Sequence, residues 1–385
     1  MASSAGSIFL TFLRLGITGF GGPAIINHIR AMVVERKRWL SGDDFKGGLA
    51  LCQAVPGATG MQISAYVGLK QRGFSGAAAA YVGFGLPAFV TMLALSVLYR
   101  YGYNVGTVQS LLTGLQAIVV ALVFNAAISF GRSSIVRWWQ APVVAGAAAA
   151  LIFHINPIFV IVGAGVVGLS LPLPGEHAGA KNSGAVSPRK YHLKPLILLL
   201  TAAAVIVGAL FLVDRQLFSL AATMLRIDLF AFGGGFASVP LMQHEFVEVR
   251  HWVEAKVFLD GIALGQVTPG PIVVTATFVG FLVAGLLGAF VATLAIFLPS
   301  FVVLILVEPH FERLRRSSLF NRALQGVLLA FVGLLLAVTY RLGVAVPWAW
   351  GPIVLAAAAF AALRLKVDVL WVVIVGAVVA LLIVR

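Results

Sequence analysis

Two arginines lie inside long apolar runs of this chain, Arg14 and Arg226, and they are the residues best suited to chemistry. An arginine at the centre of a bilayer costs about 2.5–3.5 kcal/mol on insertion scales, so it normally faces a cavity or a partner. Its planar guanidinium suits a tetrahedral oxyanion. The pair therefore indicates oxyanion binding. The alternative is a structural role at the membrane interface or in an ion pair, for which Asp228 is close to Arg226.

A second candidate is the pattern Leu-x-Gln-x-x-Pro-Gly, which occurs twice within apolar runs. Its polar and helix-breaking residues are Gln53, Pro56 and Gly57 in the first copy and Gln266, Pro269 and Gly270 in the second. Proline removes a helix donor and clashes with the preceding turn. Two such interruptions at matching positions of a membrane chain point to the binding site of a transporter. The alternative is a pair of structural kinks.

The two copies differ in the residue before the proline. Thr268 stands there in the second copy and can cap the following half-helix, with Pro269 at its first position. Val55 stands there in the first copy and offers no such cap. Unpaired N–H groups at the start of a half-helix attract an anion. We therefore expect the second copy to be the stronger anion site.

Glycines form a second pair of interruptions, and each pair follows one of the two arginines. Gly21 and Gly22 follow Arg14, and Gly233 and Gly234 follow Arg226. The spacing of Arg14 and Gly21 places them on one helix face, which a ligand or a neighbouring backbone can approach closely. Substrate binding and simple helix packing are both compatible with this pattern.

The remaining polar residues give weaker signals. Asp228 and Asp260 are acids within apolar runs, and each can carry a proton or pair with a basic residue. The seven histidines have no metal-binding spacing, and the single Cys52 fits no thiolate metal site. No nucleophile–base constellation is visible, so we predict no enzyme activity, no cofactor and no metal.

The elements that position these residues are membrane helices. The chain has 385 residues, of which 61% are hydrophobic and only 10% are charged, and its mean hydropathy is +1.03. This composition predicts an all-α polytopic membrane protein. The net charge of +14 comes mostly from short segments between apolar runs. Membrane anchoring or an anion field explains it better than nucleic-acid binding.

About thirteen apolar segments can be drawn, and the helices are expected to break at the Pro-Gly motifs. The segments are 6–28, 46–69, 75–99, 111–131, 141–154, 156–172, 195–213, 217–241, 256–283, 285–307, 322–343, 347–363 and 367–384. Short loops containing Lys and Arg do not decide the topology, and Pro-Gly segments built as re-entrant hairpins fit the charges about as well.

The two halves of the chain repeat each other at a distance of about 212 residues. Matched motifs include Leu13-Arg14 with Leu225-Arg226, Phe20-Gly21-Gly22 with Phe232-Gly233-Gly234, and Leu86-Pro87 with Leu298-Pro299. The boundaries are 1–172 for the first half, 173–215 for a linker loop plus an extra membrane helix, and 216–385 for the second half. If each half has six spans, the extra helix makes the second half an inverted repeat of the first.

As a set, these motifs resemble the chromate ion transporter (CHR) family in its long two-domain form. The residues that carry the resemblance are Leu13-Arg14-Leu15-Gly16, Phe20-Gly21-Gly22-Pro23, Gln53-x-x-Pro56-Gly57 and Gly265-Gln266-Val267-Thr268-Pro269-Gly270-Pro271. The resemblance covers nearly the whole chain. It implies a multi-pass carrier of the bacterial inner (plasma) membrane that exports chromate and confers chromate resistance.

The resemblance leaves the substrate open, because some members of that family are linked to sulfate. A sulfate or other oxyanion transporter and an anion channel are the alternatives. The expected partners are a chromate or sulfate-like oxyanion and the lipid bilayer, with no nucleic acid, and a homodimer is the assembly to consider. A membrane enzyme acting on a lipid phosphate lacks a convincing catalytic base in this sequence.

Overall fold

A computed structural model describes residues 4–19, 24–102, 105–170 and 194–384. Across these ranges the secondary structure is helical, with no strand. The helices of the first half are α1 (Ala5–Thr18), α2 (Ala24–Arg30), α3 (Gly42–Ala54), α4 (Thr59–Gly102), α5 (Gly106–Ser134), α6 (Ala141–Ile152) and α7 (Pro157–Leu169). Helix α8 (Lys194–Val213) follows.

The helices of the second half repeat this order, with one short helix added after the fourth. They are α9 (Arg215–Phe230), α10 (Ser238–Gln243), α11 (Ala255–Val267), α12 (Thr275–Val307), α13 (Phe311–Arg315), α14 (Ser318–Ala345), α15 (Trp350–Arg364) and α16 (Val369–Ile383). Within the described ranges, five stretches are long and apolar enough to cross a bilayer: Thr59–Gly102, Gly106–Ser134, Lys194–Val213, Ile272–Arg315 and Ser318–Ala345. The chain is therefore a helical membrane protein, and the count of about thirteen segments stays a prediction.

Both Pro-Gly motifs interrupt the helices as expected, and the two sides of each interruption fold back on each other. A Cβ atom added at Gly48 in α3 would lie 2.2 Å from the ring of Tyr66 in α4. Gly261 in α11 meets Phe278 in α12 in the same way, at 2.5 Å. Helix α3 has 13 residues and is about 20 Å long at about 1.5 Å per residue. Each Pro-Gly motif is therefore the tip of a helical hairpin whose arm is shorter than a bilayer of about 30 Å.

The second arm of each hairpin ends at a sharp turn inside α4 or α12. Gly73 and Gly285 have φ values of +63° and +61°, and both fall in the left-handed region. Gly68 and Gly76 lie on the two sides of the first turn, and each would place a Cβ within about 2.2 Å of the other's carbonyl oxygen. Glycine thus allows close antiparallel contact. These turns coincide with the predicted segment boundaries at residues 69–75 and 283–285.

The first and eighth predicted segments, 6–28 and 217–241, are not continuous helices. Helix α1 ends at Thr18 and α9 ends at Phe230. In the second half the reason is visible, because Gly233 and Gly234 both have a φ of +96°, which an L side chain adopts at a cost. Gly21 and Gly22 lie outside the described residues.

The two halves share one core because they exchange helical pairs. Helices α6 and α7 of the first half pack against α14 of the second, while α15 and α16 pack against α5 of the first. Close approach is possible where small residues meet, as at Gly168 with Gly326 and at Gly114 with Ala380. Helix α4 also packs against α12. The Pro-Gly tips lie within this shared core.

Candidate functional site

The two Pro-Gly tips are each hydrogen-bonded to the opposite half. Gly57 donates its backbone N–H to the carbonyl of Ala231 at 2.9 Å, and Gly270 donates to the carbonyl of Gly19 at 2.9 Å. Ala231 and Gly19 occupy matching places at the glycine interruptions that follow α9 and α1. The structure therefore joins the two kinds of predicted interruption, and it joins them across the halves.

The tips are also packed without spare room. Gly57 and Gly270 both have a φ of +119°. A Cβ on Gly57 would lie 2.2 Å from Cβ of Ser300, and a Cβ on Gly270 would lie 2.7 Å from Cβ of Ala88. Ser300 and Ala88 each follow a proline inside a long helix of the opposite half. Only glycine fits at either tip.

The two predicted glutamines differ in exposure. Gln53 is exposed beside the first tip, and Gln266 is half-buried beside the second. Pro56 and Pro269 are buried. Neither amide has a hydrogen-bond partner among the residues that the structure describes. Both are therefore free to donate to a ligand.

Thr268 does not cap the following half-helix, so that prediction is wrong. Its hydroxyl donates to the carbonyl of Gly265 at 2.9 Å, and its side chain is buried. It therefore closes the end of α11, because the free carbonyls of the last turn lie within its reach. The arm after Pro271 begins with a 3₁₀ turn, Ile272–Val274, whereas the first copy begins a regular helix at Thr59.

Arg226 forms a structural ion pair, but with a partner that the sequence did not suggest. Its Nη2 atom donates to Oε1 of Glu245, whose side chain is only 3% exposed. Arg250 approaches the other carboxylate oxygen at 3.8 Å. Asp228 takes no part in this pair. The charge of Arg226 is therefore largely neutralised in this conformation.

Arg14 has a different environment from that of Arg226. It is exposed and forms no ion pair with any acidic residue in the described ranges. The π-helical turns Ala31–Arg36 and His244–Val249 match each other in the repeat. Their second residues are Met32 and Glu245, so the first half has Met32 where the second half has Glu245. Thr18, one turn after Arg14, donates to the Arg14 carbonyl at 3.0 Å. The first half thus keeps an unneutralised arginine where the second half has an ion pair.

A pocket of about 230 Å³ opens beside Thr18. It is lined by Leu15, Thr18, His28, Ala31, Met32 and Arg36. No acidic side chain is among these residues. The first half therefore combines a concave surface with basic side chains, which is the environment that an anion prefers.

Both halves of the chain match one protein family, over residues 6–169 and residues 218–381. The chain belongs to the chromate transporter family. Membership confirms that it is a transporter rather than an enzyme, and it places the protein in a membrane as a multi-pass chain. No solved structure matches this transporter.

Three relatives of this transporter illustrate the similarity. An uncharacterised transporter of Methanocaldococcus jannaschii is 38% identical, over 99% of this chain and 94% of its own length. The chromate transport protein of Cupriavidus metallidurans is 32% identical, over 85% of this chain and 79% of its own length. The chromate transport protein of Pseudomonas aeruginosa is 31% identical, over 87% and 80% of the two chains.

Sequence reasoning missed the π-helical turns of this transporter. In both halves the turn is followed by a left-handed residue, Arg38 or His251, and then by Trp39 or Trp252. The backbone N–H of Trp39 donates to the carbonyl of Val33 at 2.7 Å, and the backbone N–H of Trp252 donates to the carbonyl of Phe246 at 2.8 Å. The repeated Glu-x-x-x-Trp pattern, at Glu35 and Glu248, was the available signal.

In the second half the same turn supplies a charged cluster next to a cavity of about 330 Å³. Glu248 pairs with Arg341 and accepts from His244 at 3.0 Å, and His154 lies 3.4 Å away. The cavity is lined by Ile152, His154, Gln243, Glu248, Tyr340, Arg341 and Val344. Burial lowers the pKa of His244, which favours its neutral form. The cluster ties the first half's α6–α7 turn to α14.

The two intramembrane acids both accept hydrogen bonds, Asp260 from the opposite half and Asp228 from its own half. Asp260, on α11, accepts from the hydroxyl of Tyr99 at 2.8 Å and from the amide of Gln116 at 2.6 Å. Asp228, on α9, accepts the backbone N–H of Ser300 at 2.7 Å. Neither acid pairs with a basic side chain in the described part of the chain. The expected alternative of a direct arginine or lysine partner is not seen for either.

Proposed function

We propose that this protein carries chromate out of the cytoplasm through a central site that its two halves form together. The names of the C. metallidurans and P. aeruginosa relatives support chromate as the substrate. One observation supports the location of the site between the halves, namely the crossed hydrogen bonds that join each Pro-Gly tip to the other half. Because these bonds link the halves, relative movement of the halves must open the tips.

The proposed site contains the residues of both kinds of interruption and both arginines. They are Arg14, Gly21, Gly22, Gln53, Pro56 and Gly57 from the first half and Arg226, Gly233, Gly234, Gln266, Thr268, Pro269 and Gly270 from the second. When a crossed bond opens, the N–H of Gly57 or Gly270 is released toward the ligand. The unpaired N–H groups of the next helical turn add further donors.

The distribution of charge makes the first half the stronger anion site, which reverses the order expected from Thr268. Arg14 is unneutralised, whereas Arg226 is held by Glu245. The helix that begins at Thr59 is regular from its first residue. A regular helix start carries about half a positive unit charge. We place the oxyanion nearer to the first tip because of this helix start, whereas Arg14 lies on the helix whose end, at Gly19, is bonded to the second tip.

The proposed organisation is an inverted repeat of residues 1–172 and 216–385, separated by the linker and extra helix of residues 173–215. The turns at Gly73 and Gly285, the two tips and the two π-helical turns give the halves the same local structure. Among the membrane-length helices in the described residues, α8 is the one without a counterpart. If each half crosses the membrane six times, one additional crossing between them places the halves in opposite orientations, as in many carriers.

The direction of transport follows from the membrane potential. A dianion that leaves a cell with a negative interior gains about 4.6 kcal/mol at 100 mV, from about 2.3 kcal/mol per unit charge. Export is thus electrically favourable, whereas uptake needs coupling to another gradient. We therefore propose export, and the family resemblance implies chromate resistance and an inner (plasma) membrane location.

Two alternatives use the same site. A sulfate or other oxyanion transporter differs only in the preferred anion, because the donors on both tips recognise a tetrahedral oxyanion without regard to its central atom. An anion channel needs a continuous pore, whereas the crossed bonds and the packing of Ser300 and Ala88 on the tips favour a closed core.

The test is the flux of radiolabelled chromate and sulfate into everted membrane vesicles, where export appears as uptake. We expect saturable chromate uptake that is stimulated by an inside-positive potential and inhibited weakly by sulfate. Sulfate uptake that chromate does not inhibit would instead identify a sulfate transporter. Conductance that does not saturate and shows no counter-flow would identify a channel.

A further inference from the structure

Asp228 is a buried acid whose hydrogen bonding is incomplete. Its side chain is only 1% exposed. Oδ2 accepts the backbone N–H of Ser300 at 2.7 Å, whereas Oδ1 is buried and has no hydrogen-bond partner among the described residues. A buried carboxylate oxygen without a donor is costly, because it has lost its contact with water and gained nothing in exchange.

Ser300 connects this acid to the first Pro-Gly tip. Its Cβ packs against Gly57, at 2.2 Å from the position that a Cβ on Gly57 would take. Its hydroxyl shares a hydrogen bond of 2.9 Å with the hydroxyl of Tyr81, which also donates to the carbonyl of Phe297 at 2.7 Å. Asp228 is therefore one residue removed from the proposed anion site.

A second unpaired acceptor lies at the same tip. Gln62 donates its Nε2 to the carbonyl of Pro56 at 2.5 Å, while its Oε1 is buried without a partner in the described structure. The Nε2 atom also lies 3.0 Å from the Cβ position of Gly57. Two buried oxygen atoms near the tip, Oδ1 of Asp228 and Oε1 of Gln62, therefore lack hydrogen donors among the described residues. A proton is the smallest species that meets this deficit.

Charged groups near Asp228 do not supply the missing donor. On its own helix, Arg226 pairs with Glu245. The packed helices α10 and α12 contain no charged residue, and α8 contains only Lys194, at its start. From α4, Tyr81 is the titratable group that faces Ser300. An ionised Asp228 therefore has no cation to neutralise it in the described part of the chain.

We propose that Asp228 takes up one proton when an oxyanion binds at the first Pro-Gly tip, so that transport is linked to proton movement. This inference rests on the proposed anion site. A proton from the bulk solution, released by the buffer, binds Oδ1, and the carboxylate becomes a neutral carboxyl group. The new O–H is a donor, and Oδ2 keeps the N–H of Ser300. The negative charge that repels the entering anion is removed in the same step.

The link works in both directions, as thermodynamic coupling requires. A bound dianion raises the proton affinity of Asp228, and a proton on Asp228 raises the affinity for the dianion. The position of Asp228 in the repeat is taken by Gly16 in α1, where a Cβ would lie 2.5 Å from the carbonyl oxygen of Phe84. The second tip therefore has no equivalent acid. Each transporter molecule therefore takes up one proton, not two, when the anion binds.

The test measures proton uptake by the purified full-length protein when oxyanion is added. Potassium sulfate and potassium chromate are the probes, in weakly buffered detergent solution with a pH indicator, from about pH 6 to about pH 9. Chromate is used only at the alkaline end, where it is already a dianion. Asp228→Asn removes the titratable group, Asp228→Glu keeps one, and Asp260→Asn is the matched control at the other buried acid.

We expect roughly one proton per bound anion for the parent protein and for Asp228→Glu and Asp260→Asn, and none for Asp228→Asn. The apparent Kd of the parent should rise by up to about tenfold per pH unit over part of this range, whereas that of Asp228→Asn should stay flat. An infrared carboxyl band that appears when sulfate binds to the parent protein tests the proposal without any variant.

Three results would overturn the proposal. The first is proton uptake by Asp228→Asn equal to that of the parent protein. The second is anion binding without proton uptake and without a carboxyl band at every pH. The third is anion binding that requires sodium in place of potassium. If the parent protein binds neither sulfate nor chromate at any pH, the proposed anion site itself fails, and this inference fails with it.

Discussion

Gly57 donates its backbone N–H to the carbonyl of Ala231, across 2.9 Å and between two halves of the chain. The donor stands at the tip of one helical hairpin, and the acceptor stands at the end of a helix in the other half. The same relationship recurs between the second tip and the first half. A ligand that competes for these N–H groups must therefore separate the halves, which connects binding to movement.

The first prediction concerns the glycine at that tip. Gly57→Ala would hold an alanine at a φ of +119°, at a cost of about 1–2 kcal/mol. Its methyl group would also collide with Ser300, and overpacking adds about 1–3 kcal/mol. We expect a lower unfolding temperature in detergent and the loss of chromate flux in vesicles.

Gly163→Ala is the matched control for Gly57→Ala, because Gly163 lies in α7 and an added Cβ meets no atom within 4 Å. It should leave both the unfolding temperature and the flux unchanged. A parental flux for Gly57→Ala at matched expression would show that the tip does not need its close contact.

The second prediction concerns the two arginines. Arg14→Lys keeps the charge but loses the planar fork, so the apparent affinity for chromate should fall several-fold. Arg226→Lys should change affinity less, because Arg226 is already bound to Glu245. Apparent affinities from vesicle flux decide the order. If both lysine variants match the parent protein, bidentate recognition by these residues is wrong.

The third prediction concerns Thr268. Thr268→Val removes the hydroxyl that donates to Gly265, and the loss of this buried bond should cost about 1 kcal/mol of stability. The affinity for chromate should stay within about twofold, because no cap of the next half-helix is lost. Val55→Thr is the reciprocal variant and should change neither quantity. A tenfold weaker affinity for Thr268→Val alone would restore the capping role.

The fourth prediction concerns orientation. Arg36 and Arg250 are both exposed. Arg36 is the last residue of the first π-helical turn, and Arg250 directly follows the second. In a Cys52→Ala background, Arg36→Cys and Arg250→Cys should react with an impermeant thiol reagent from opposite faces of the membrane. Lys37→Cys, beside Arg36, should label from the same face as Arg36→Cys. Labelling of Arg36→Cys and Arg250→Cys from one face would reject the inverted repeat.

The positions of the interruptions could be predicted because they depend on single residues. Proline at 56 and 269 cannot donate a backbone hydrogen bond, whatever surrounds it. The boundaries near Gly73 and Gly285 were visible for a related reason, since glycine adopts a positive φ at little cost. The segment 6–28 was drawn as one apolar run although its glycines predicted an interruption, because apolar composition reports burial in a membrane and not helix continuity.

The partners of the polar residues could not be predicted in the same way. Asp228 is two residues from Arg226 in sequence, yet Arg226 pairs with Glu245 and Asp228 accepts from Ser300. Residues two apart on a helix point in different directions, so their proximity along the chain is misleading. Thr268 likewise had two possible roles, to accept an N–H of the following helix or to donate to a carbonyl of α11, and in the folded tip its hydroxyl donates to Gly265.

The sequence by itself determined that this protein is a helical membrane protein, that its halves repeat, and where each half breaks. These properties follow from composition, repetition and the covalent chemistry of proline and glycine, which act locally. Only the tertiary structure decided that each tip bonds to the other half, that Glu245 neutralises Arg226, and that Met32 leaves Arg14 free of such a partner. Those contacts join separate segments, because burial in a shared core forces each polar group to find whichever partner the packing of the helices brings within reach.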